Sequence, residues 1–521
     1  MYNNYMFLYV VLCFLGFVSH TKATTLSFER NKHSVDLVGF FWQITDIHYD
    51  GNYSISGVPT NMCHQSTSKL NNGTKLGIYG DFLCDSPWQL VTSAIEGMRV
   101  HNAEPDFIIW TGDSIPHVNN SELDRTKVFK IIGHVTRKLA EVFPNISIFP
   151  VLGNHDPYPA NLMPPGTSDG YYGGILKNSQ WDSILDSDQQ GHFNNGGYYS
   201  SHIQSNLRLL ALNTNLYYSL NTLVKDMEDP AGQLAWFEKQ LIDCRSKNEK
   251  AYVISHVPPG AFERLARISW FYPQFNQQYL KIIADYSDII IGQFYGHEHT
   301  DSFRVLINQH DEAINTMFLS PAVTPWKSTL PGVGANNPSI RLYSYVKETG
   351  VVIDYKQYYL NLTEANSLHK ADWKLEYQAT EAFNIPDLSP TSLDRLSESF
   401  KDNDFMFNKY LAINTVGYDT NPQCNSTCKR NQICAIRHLS LDQYTNCISR
   451  NEDTTVKPVL TTHHHHGKPD RKHVPRYMFY IIGSMAGVIL LLTIFFGVLC
   501  FNRGKRKRVP FKYGRFAGPI N

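Results

Sequence analysis

Five apolar runs in this chain break off into short polar stretches rich in Asp, Asn, His and Gly. Residues 37–44 lead into Asp46-Ile47-His48 and residues 107–110 into Gly112-Asp113. Residues 146–152 lead into Gly153-Asn154-His155-Asp156, residues 251–254 into His256, and residues 289–294 into Gly296-His297-Glu298-His299. Continuous apolar runs of this length predict strands buried on both faces, as in parallel sheets. Between them, residues 88–103, 122–143 and 231–244 carry apolar positions at helical spacing, so the alternation predicts an α/β fold with helices covering the sheet. In open α/β sheets the chemistry gathers beyond the carboxyl ends of the strands. Five polar stretches at five strand ends are therefore expected to meet, although Asp46 and His299 are far apart in sequence.

The rest of the chain divides by composition. Residues 157–200, rich in Gly, Asn and Tyr, read as a rim loop past His155, in which Tyr158, Tyr171, Tyr172 and Tyr198 either stack on a substrate base or pack. The catalytic domain is placed at 24–360 and a small helical C-terminal subdomain, ending in a cysteine cluster, at 361–450. Residues 451–476 are polar and Pro-containing, with four adjacent histidines at 463–466. They read as a solvated stalk that can hold metal only loosely.

Two further apolar segments concern compartment. Residues 7–18 are too short to span a bilayer comfortably, and Thr21-Lys22-Ala23 offers small residues for a signal peptidase, so 1–23 is expected to be a cleaved signal peptide. Residues 477–501 are uncharged and as a helix would reach roughly 37 Å, enough to cross a bilayer. The basic run 502–508 that follows predicts a cytoplasmic tail at 502–521, and with it a single-pass type I protein at the cell surface or in endolysosomes. The further basic segment argues against a GPI signal. Tyr513-Gly514-Arg515-Phe516 has the form of an endocytic sorting signal. Sequons at Asn52, Asn72, Asn119, Asn145, Asn361 and Asn425 agree with a secretory route and predict N-glycans. Cys63, Cys84, Cys244, Cys424, Cys428, Cys434 and Cys447 would lie in an oxidising compartment, where pairing is favoured; their connectivity is open at this level, as is a structural zinc held by the last four.

Composition narrows the partners. Hydrophobic residues make up 42% and the formal net charge is +0. That describes an ordinary globular ectodomain, and with no basic excess no bulk nucleic-acid binding is expected.

Taken singly, each polar stretch is ordinary: Asp-x-His in a loop is commonly a surface turn, and a lone His after a strand is commonly a packed one. Five of them in one order, each at a strand end, point to a two-metal phosphoesterase. Cations that polarise phosphoryl oxygens favour carboxylate and amide oxygens mixed with imidazole. Two of them lie about 3.5–4 Å apart in such sites and clamp the attacking and leaving oxygens. Asp113 is the candidate bridge, since a carboxylate has two oxygens to share. Asp46, His48 and His299 would complete one ion; Asn154, His256 and His297 would complete the other. A water bridging the two would ionise near neutral pH and become the nucleophile.

These motifs resemble the calcineurin-like metallophosphoesterases and, more narrowly, the acid sphingomyelinase-like phosphodiesterases. The narrower likeness rests on Gln43-Ile44-Thr45-Asp46-Ile47-His48, Gly112-Asp113-Ser114-Ile115-Pro116-His117, Gly292-Gln293-Phe294-Tyr295-Gly296-His297, Asn337-Pro338-Ser339-Ile340-Arg341-Leu342, Tyr358-Tyr359-Leu360-Asn361-Leu362-Thr363, Trp373-Lys374-Leu375-Glu376-Tyr377 and the cysteines at 424–447. The resemblance implies a β-sheet sandwich flanked by helices, two Zn²⁺ per chain (other divalent metals being possible), and the ligand set above. It further implies His155 as the general acid and His117 as a contact to the substrate phosphate. Asp156 would orient the His155 ring or cap a turn. The implied disulfides are Cys63–Cys84, Cys424–Cys428 and Cys434–Cys447, with Cys244 free and buried. Glu298 departs from the family, where a small hydroxyl residue is common.

The expected function is a membrane-anchored phosphodiesterase acting on phosphodiester or phosphoanhydride bonds. With only about 14 residues between Ala23 and the first strand, no saposin-like domain fits, which favours soluble nucleotides or nucleotide-linked head groups. The alternatives are sphingomyelin hydrolysis and a surface-binding protein without turnover. An endopolyphosphatase would need a long basic groove, which is not evident.

Overall fold

The computed structural model describes residues 37–65, 75–265, 269–330 and 333–449. The expected signal peptide, stalk, transmembrane segment, cytoplasmic tail and the sequon at Asn72 lie outside these residues. Among the described residues no helix is long and apolar enough to cross a membrane.

Among the described residues twelve strands form two six-stranded sheets. The first contains β1 (Val38–Ile44), β2 (Phe107–Trp110), β3 (Ser147–Pro150), β10 (Ser339–Val346), β11 (Val352–Leu360) and β12 (Trp373–Gln378), in the order β12-β11-β10-β1-β2-β3. The second contains β4 (Tyr199–Gln204), β5 (Leu207–Ala211), β6 (Lys250–Ile254), β7 (Ile290–Tyr295), β8 (Ser302–Ile307) and β9 (Ala313–Leu319), in the order β4-β5-β6-β7-β9-β8. Pairing is parallel in β1–β2–β3 and in β5–β6–β7–β9. All five strands anticipated from the apolar runs are present, at or within a few residues of the expected bounds. β2, Phe-Ile-Ile-Trp, is buried at every position, as expected of a central parallel strand.

The sheets face each other across an aromatic core. Phe41 of the first lies 5.3 Å from Phe294 and 5.7 Å from Tyr252 of the second, and Tyr343 lies 5.0 Å from Phe294. Near the strand ends a buried amide joins the layers: Gln43 Nε2 donates to the Tyr295 carbonyl at 3.0 Å, and the Tyr343 hydroxyl donates to Gln43 Oε1 at 3.0 Å. Such pairing is required because an unsatisfied buried amide costs free energy.

Helices cover the outside. α1 (Trp88–His101) buries Leu90, Val91, Ala94, Ile95 and Met98, the i, i+3/i+4 stripe the sequence pattern predicts. α2 (Arg125–Val142) begins at Asp124, whose side chain accepts from the Lys127 amide at 2.8 Å, an N-cap that satisfies an otherwise orphaned donor.

Residues 157–200 are not the single rim loop expected. They contain α3 (Tyr171–Asn178), α4 (Ser187–Gly196) and the start of β4. α4 opens with a reciprocal cap between Asp186 and Gln189. Tyr171, Tyr172 and Tyr198 are buried and Tyr158 packs against the core, so these tyrosines are packing residues.

α5 (Gln233–Ser246) and α6 (Pro273–Asp285) flank the second sheet. Residues 361–449 contain α7 (Leu362–Leu368), α8 (Ala379–Phe383), α9 (Pro390–Ser399), α10 (Asp404–Asn414), α11 (Ser426–Arg437) and α12 (Leu441–Ser449). They also contain β12, the edge of the first sheet, so the segment read as a small helical subdomain contributes a strand as well. Disulfides join Cys63–Cys84, Cys424–Cys428 and Cys434–Cys447, and Cys244 is a buried free thiol.

Candidate metal centre

Asp46 and His48 follow β1, Asp113 follows β2, and Asn154 follows β3. His256 follows β6, and His297 and His299 follow β7. Both sheets therefore deliver donors from the carboxyl ends of parallel strands. Five of these seven residues lie in the left-handed backbone region: Asp46 (φ 48°), His48 (φ 44°), Asp113 (φ 54°), His297 (φ 74°) and His299 (φ 60°). Side chains other than glycine adopt it at a cost, and such outliers gather at functional sites. The glycines of the motifs permit close approach. A Cβ on Gly153 would sit 2.0 Å from Asp113 Oδ1, and one on Gly296 2.4 Å from Asp46 Oδ2.

The seven side chains converge in two sets about Asp113. In the first, His48 Nε2 lies 3.2 Å from His299 Nε2 and 3.5 Å from Asp113 Oδ2, and His299 Nε2 lies 3.4 Å from Asp46 Oδ1. In the second, His256 Nε2 lies 3.2 Å from the same Asp113 Oδ2 and 3.1 Å from Asn154 Oδ1, and His297 Nδ1 lies 2.7 Å from Asn154 Oδ1. Two ligands held at about 2.0–2.2 Å from one cation, roughly 90–110° apart, lie about 3.0–3.5 Å from each other. Most of the observed spacings are edges of that size. Asp46 Oδ1 is also 4.0 Å from His256 Nε2, so Asp46 lies between the sets rather than wholly within the first.

Two of the ring nitrogens turned away from the cluster are engaged. His48 Nδ1 donates to the Ile115 carbonyl at 2.6 Å and His256 Nδ1 to the Thr111 carbonyl at 2.7 Å. This leaves each Nε2 lone pair facing the cluster, the arrangement that orients imidazole for a metal. The donor set fits divalent cations by its chemistry and by these second contacts.

Electrostatics say the same. Burial opposes charge on Asp46, yet His256, His48 and His299 outweigh it and hold the carboxyl at about 2. Asp113 is likewise driven well below the usual range, burial being outweighed by His256, His155 and His48. Burial opposes the charge on His48 and His256, but the two carboxylates lift both to about 9. Burial, the largest influence, lowers His299 to about 4 and His297 well below its usual value. Without cations, protons on two imidazoles must offset the carboxylates; cations compete for those positions.

Residues around the centre take roles the sequence left open. Asp156 does not orient the His155 ring. Its carboxylate accepts from the amides of Gly153, Asp113 and Ser114 at 2.7, 3.0 and 2.8 Å, tying the loops after β2 and β3 together. The His155 amide donates to Asp113 Oδ1 at 2.8 Å, and its ring lies 4.4 Å from that of His117. Burial lowers His155 below its ordinary value.

His117 stacks on Trp326 at 3.9 Å and on His48 at 4.0 Å. Its Nδ1 donates to Asp85 Oδ1 at 3.0 Å, which also accepts from the Thr324 hydroxyl. A ring nitrogen of His117 comes within 4.8 Å of those of His48 and His299. Asp85, Trp326, Trp270 and Tyr218 were not anticipated. Asp85 follows Cys84 in a loop with no motif, so only its partner His117 reveals it. A cleft of about 310 Å³ opens over the centre, lined by Asp113, His117, His155, Tyr218, Trp270 and Trp326 among others.

Comparison with known proteins now decides the family. The profile of the calcineurin-like phosphoesterases matches residues 41–301, and that of the acid sphingomyelin phosphodiesterase C-terminal region matches residues 312–454. Human acid sphingomyelinase-like phosphodiesterase 3b is 39% identical over 80% of this chain and 92% of its own length. The chain belongs to the acid sphingomyelinase-like phosphodiesterases. A second relative in this family, human cyclic GMP-AMP phosphodiesterase SMPDL3A, is 41% identical over 79% of this chain and 90% of its own length. A third, sphingomyelinase phosphodiesterase C of Dictyostelium discoideum, is 38% identical over 79% of this chain and 92% of its own length. This acid sphingomyelinase-like chain is accordingly a phosphodiesterase of the metallophosphoesterase class, with the α/β fold of the calcineurin-like enzymes.

Proposed function

We propose that this phosphodiesterase hydrolyses phosphodiester or phosphoanhydride bonds of soluble nucleotides or nucleotide-linked head groups, with its catalytic part on the lumenal or extracellular side of a membrane. The observation that carries the reading is Asp113 Oδ2, 3.5 Å from His48 Nε2 and 3.2 Å from His256 Nε2: one carboxylate serves two sets of donors. Asp46, His48, Asp113 and His299 would hold one zinc ion, and Asp113, Asn154, His256 and His297 a second. Two such cations, when bound, supply Lewis-acid charge to the phosphoryl oxygens and an acidified water. Asp156 and the backbone carbonyls of Thr111 and Ile115 keep the donors in register. His117, held by Asp85, presents its other nitrogen to the substrate phosphate. His155, reaching the cleft beside Asn154, gives a proton to the leaving oxygen.

The name of the cyclic GMP-AMP phosphodiesterase relative supports the nucleotide class, as do aromatic faces in the cleft that can stack on a base. A lipid substrate is the second reading, supported by the name of the Dictyostelium relative and by Leu220 and Leu330, exposed residues that line the cleft. The anchor rests on residues 477–501. Of the sequons, Asn52, Asn119, Asn145 and Asn425 are exposed, as glycan acceptors must be.

A panel of a cyclic dinucleotide, a nucleoside triphosphate and micellar sphingomyelin, run from acidic to neutral pH on zinc-loaded protein, tests the reading. Turnover of sphingomyelin alone would replace nucleotides with lipid; turnover of none would leave the binding-protein alternative. His155→Ala is expected to lower turnover on nucleotide esters by about 10²–10⁴-fold with the metal content intact. The loss should shrink on p-nitrophenyl esters, whose leaving group departs without a proton. Equal losses on both would remove His155 from the acid role.

A further inference from the structure

Glu298 lies between two metal-centre histidines yet points away from the centre. Its side chain is buried, Oε1 accepts from Trp270 Nε1 at 2.8 Å, and both oxygens accept from Arg304 Nη2 at 2.9 and 2.8 Å. Trp270 is a cleft wall. Its indole meets the His297 ring edge-on, with centroids 4.3 Å apart at 81°, and packs 5.2 Å from Phe262. The backbone flanking Trp270 is held in a short bridge, with the Trp270 amide donating to the Gly260 carbonyl at 3.1 Å. Backbone pairing places the Cα but leaves the ring free to rotate about its side-chain torsions. Among the described residues, the hydrogen bond to the ring is the one from the indole N–H to a carboxylate. A charge-assisted bond of this kind is stronger than a neutral one.

The carboxylate is itself held from behind. Arg304 Nη1 donates to Glu263 Oε2 at 2.7 Å, Asn414 Nδ2 of α10 donates to Glu263 Oε1 at 2.6 Å, and Arg264 Nε donates to Asn414 Oδ1 at 2.8 Å. Arg264 Nη1 donates to the carbonyl of Val333, another cleft-lining residue, at 2.8 Å. Two glutamates and two arginines thus form a compact group anchored on α10.

We propose that Glu298 is a positioning residue that fixes the Trp270 indole as the surface against which a flat group of the substrate rests. The inference rests on the phosphodiesterase reading above and adds a determinant of specificity. Loss of the clamp lets the ring rotate, so a flat retained group loses its platform while a small one loses little.

The test uses two diesters with the same leaving group, bis(p-nitrophenyl) phosphate and methyl p-nitrophenyl phosphate, with zinc-loaded protein. Trp270→Phe, which keeps a ring but lacks the N–H, and Glu298→Ala are each expected to raise KM for the aryl diester by about tenfold and for the methyl diester by much less. Glu298→Gln still offers an oxygen to the indole and is expected to restore KM for the aryl diester. Should Glu298→Ala fail to fold, Trp270→Phe and Glu298→Gln decide the matter. Equal losses on both diesters, or a Glu298→Gln defect as large as that of Trp270→Phe, would overturn the proposal. Calorimetric binding of phenylphosphonate against methylphosphonate gives the same ratio without turnover. If the parent protein hydrolysed neither diester, the diesterase reading would fall and this ratio would still decide the role of Glu298.

Discussion

Two buried clusters of charged and polar groups meet at residues 297–299, which send His297 and His299 to one and Glu298 to the other, and they differ in one respect. In the Glu263–Glu298–Arg304 cluster, donors face acceptors: Arg304 donates to both carboxylates and Glu298 also takes the indole N–H. In the Asp46–Asp113–His256 cluster, carboxylates meet imidazoles that must take a second proton unless a cation is bound. The Nε2 atoms of His48 and His256 and the oxygens of Asp46, Asp113 and Asn154 approach one another at 3.1–4.0 Å, with the His48 and His256 Nδ1 protons already given to carbonyls. In the first cluster each carboxylate is opposed by a permanently charged guanidinium, as in a structural ion-pair group. In the second the carboxylates are opposed by imidazoles whose protons a divalent cation can replace, as in a metal site.

Asp113→Ala is the most severe way to break this contrast. It removes the oxygen common to both donor sets, so metal analysis should find both positions emptied or disordered, and hydrolysis should fall on the order of 10³-fold or more. His299→Ala should weaken chiefly one position. Full metal content in Asp113→Ala would end its assignment as a bridge.

The matching disruption on the other side is Arg304→Met. It leaves Glu263 and Glu298 without their shared partner, and one-sided removal from a buried ion pair costs about 3–5 kcal/mol. Denaturant unfolding should show that loss, while the folded fraction keeps the parent's metal content. A protein of unchanged stability that had lost its metal would show that the two clusters do not separate in this way.

The smallest effect sharpens the contrast with a lone group. Glu376 Oε2 is shut off from solvent with no hydrogen-bond partner. Burial first, and Asp301 second, raise its carboxyl well above the usual range, against the pull of Arg341. With the folded value raised, the stabilising influence of the neutral form is complete below the ordinary carboxyl range and is lost as pH rises through the folded value. Glu376→Gln should therefore raise the melting temperature near neutral pH, by roughly 2–4 °C, and leave it unchanged at strongly acidic pH. An equal gain at both pH values would mean that protonation of Glu376 is not the cause.

The candidate metal donors were legible in the sequence because each stands two to four residues past a strand that announces itself by continuous apolar residues. Residues 157–200 were misread because α3 and α4 are short, and their Gly and Asn content outweighs their few apolar positions. The strand β12 was missed because Trp373–Gln378 alternates apolar and polar residues only briefly, and its place at the sheet edge depends on pairing with β11.

By itself the sequence determined the five strands that lead into the centre, three covering helices, the candidate metal donors and the family. These are local properties, carried by periodicity and by side-chain chemistry at the ends of runs. Tertiary structure alone decided that Asp46 lies between the two donor sets, that Asp156 ties two loops instead of orienting His155, that Asp85 holds His117, and that Glu298 grips Trp270. Such contacts join residues as far apart as Asp85 and Thr324, separated by 239 positions. They are set by how the two sheets and their loops pack, and a buried polar group finds its partner across the fold without leaving a trace in its own neighbourhood of the chain.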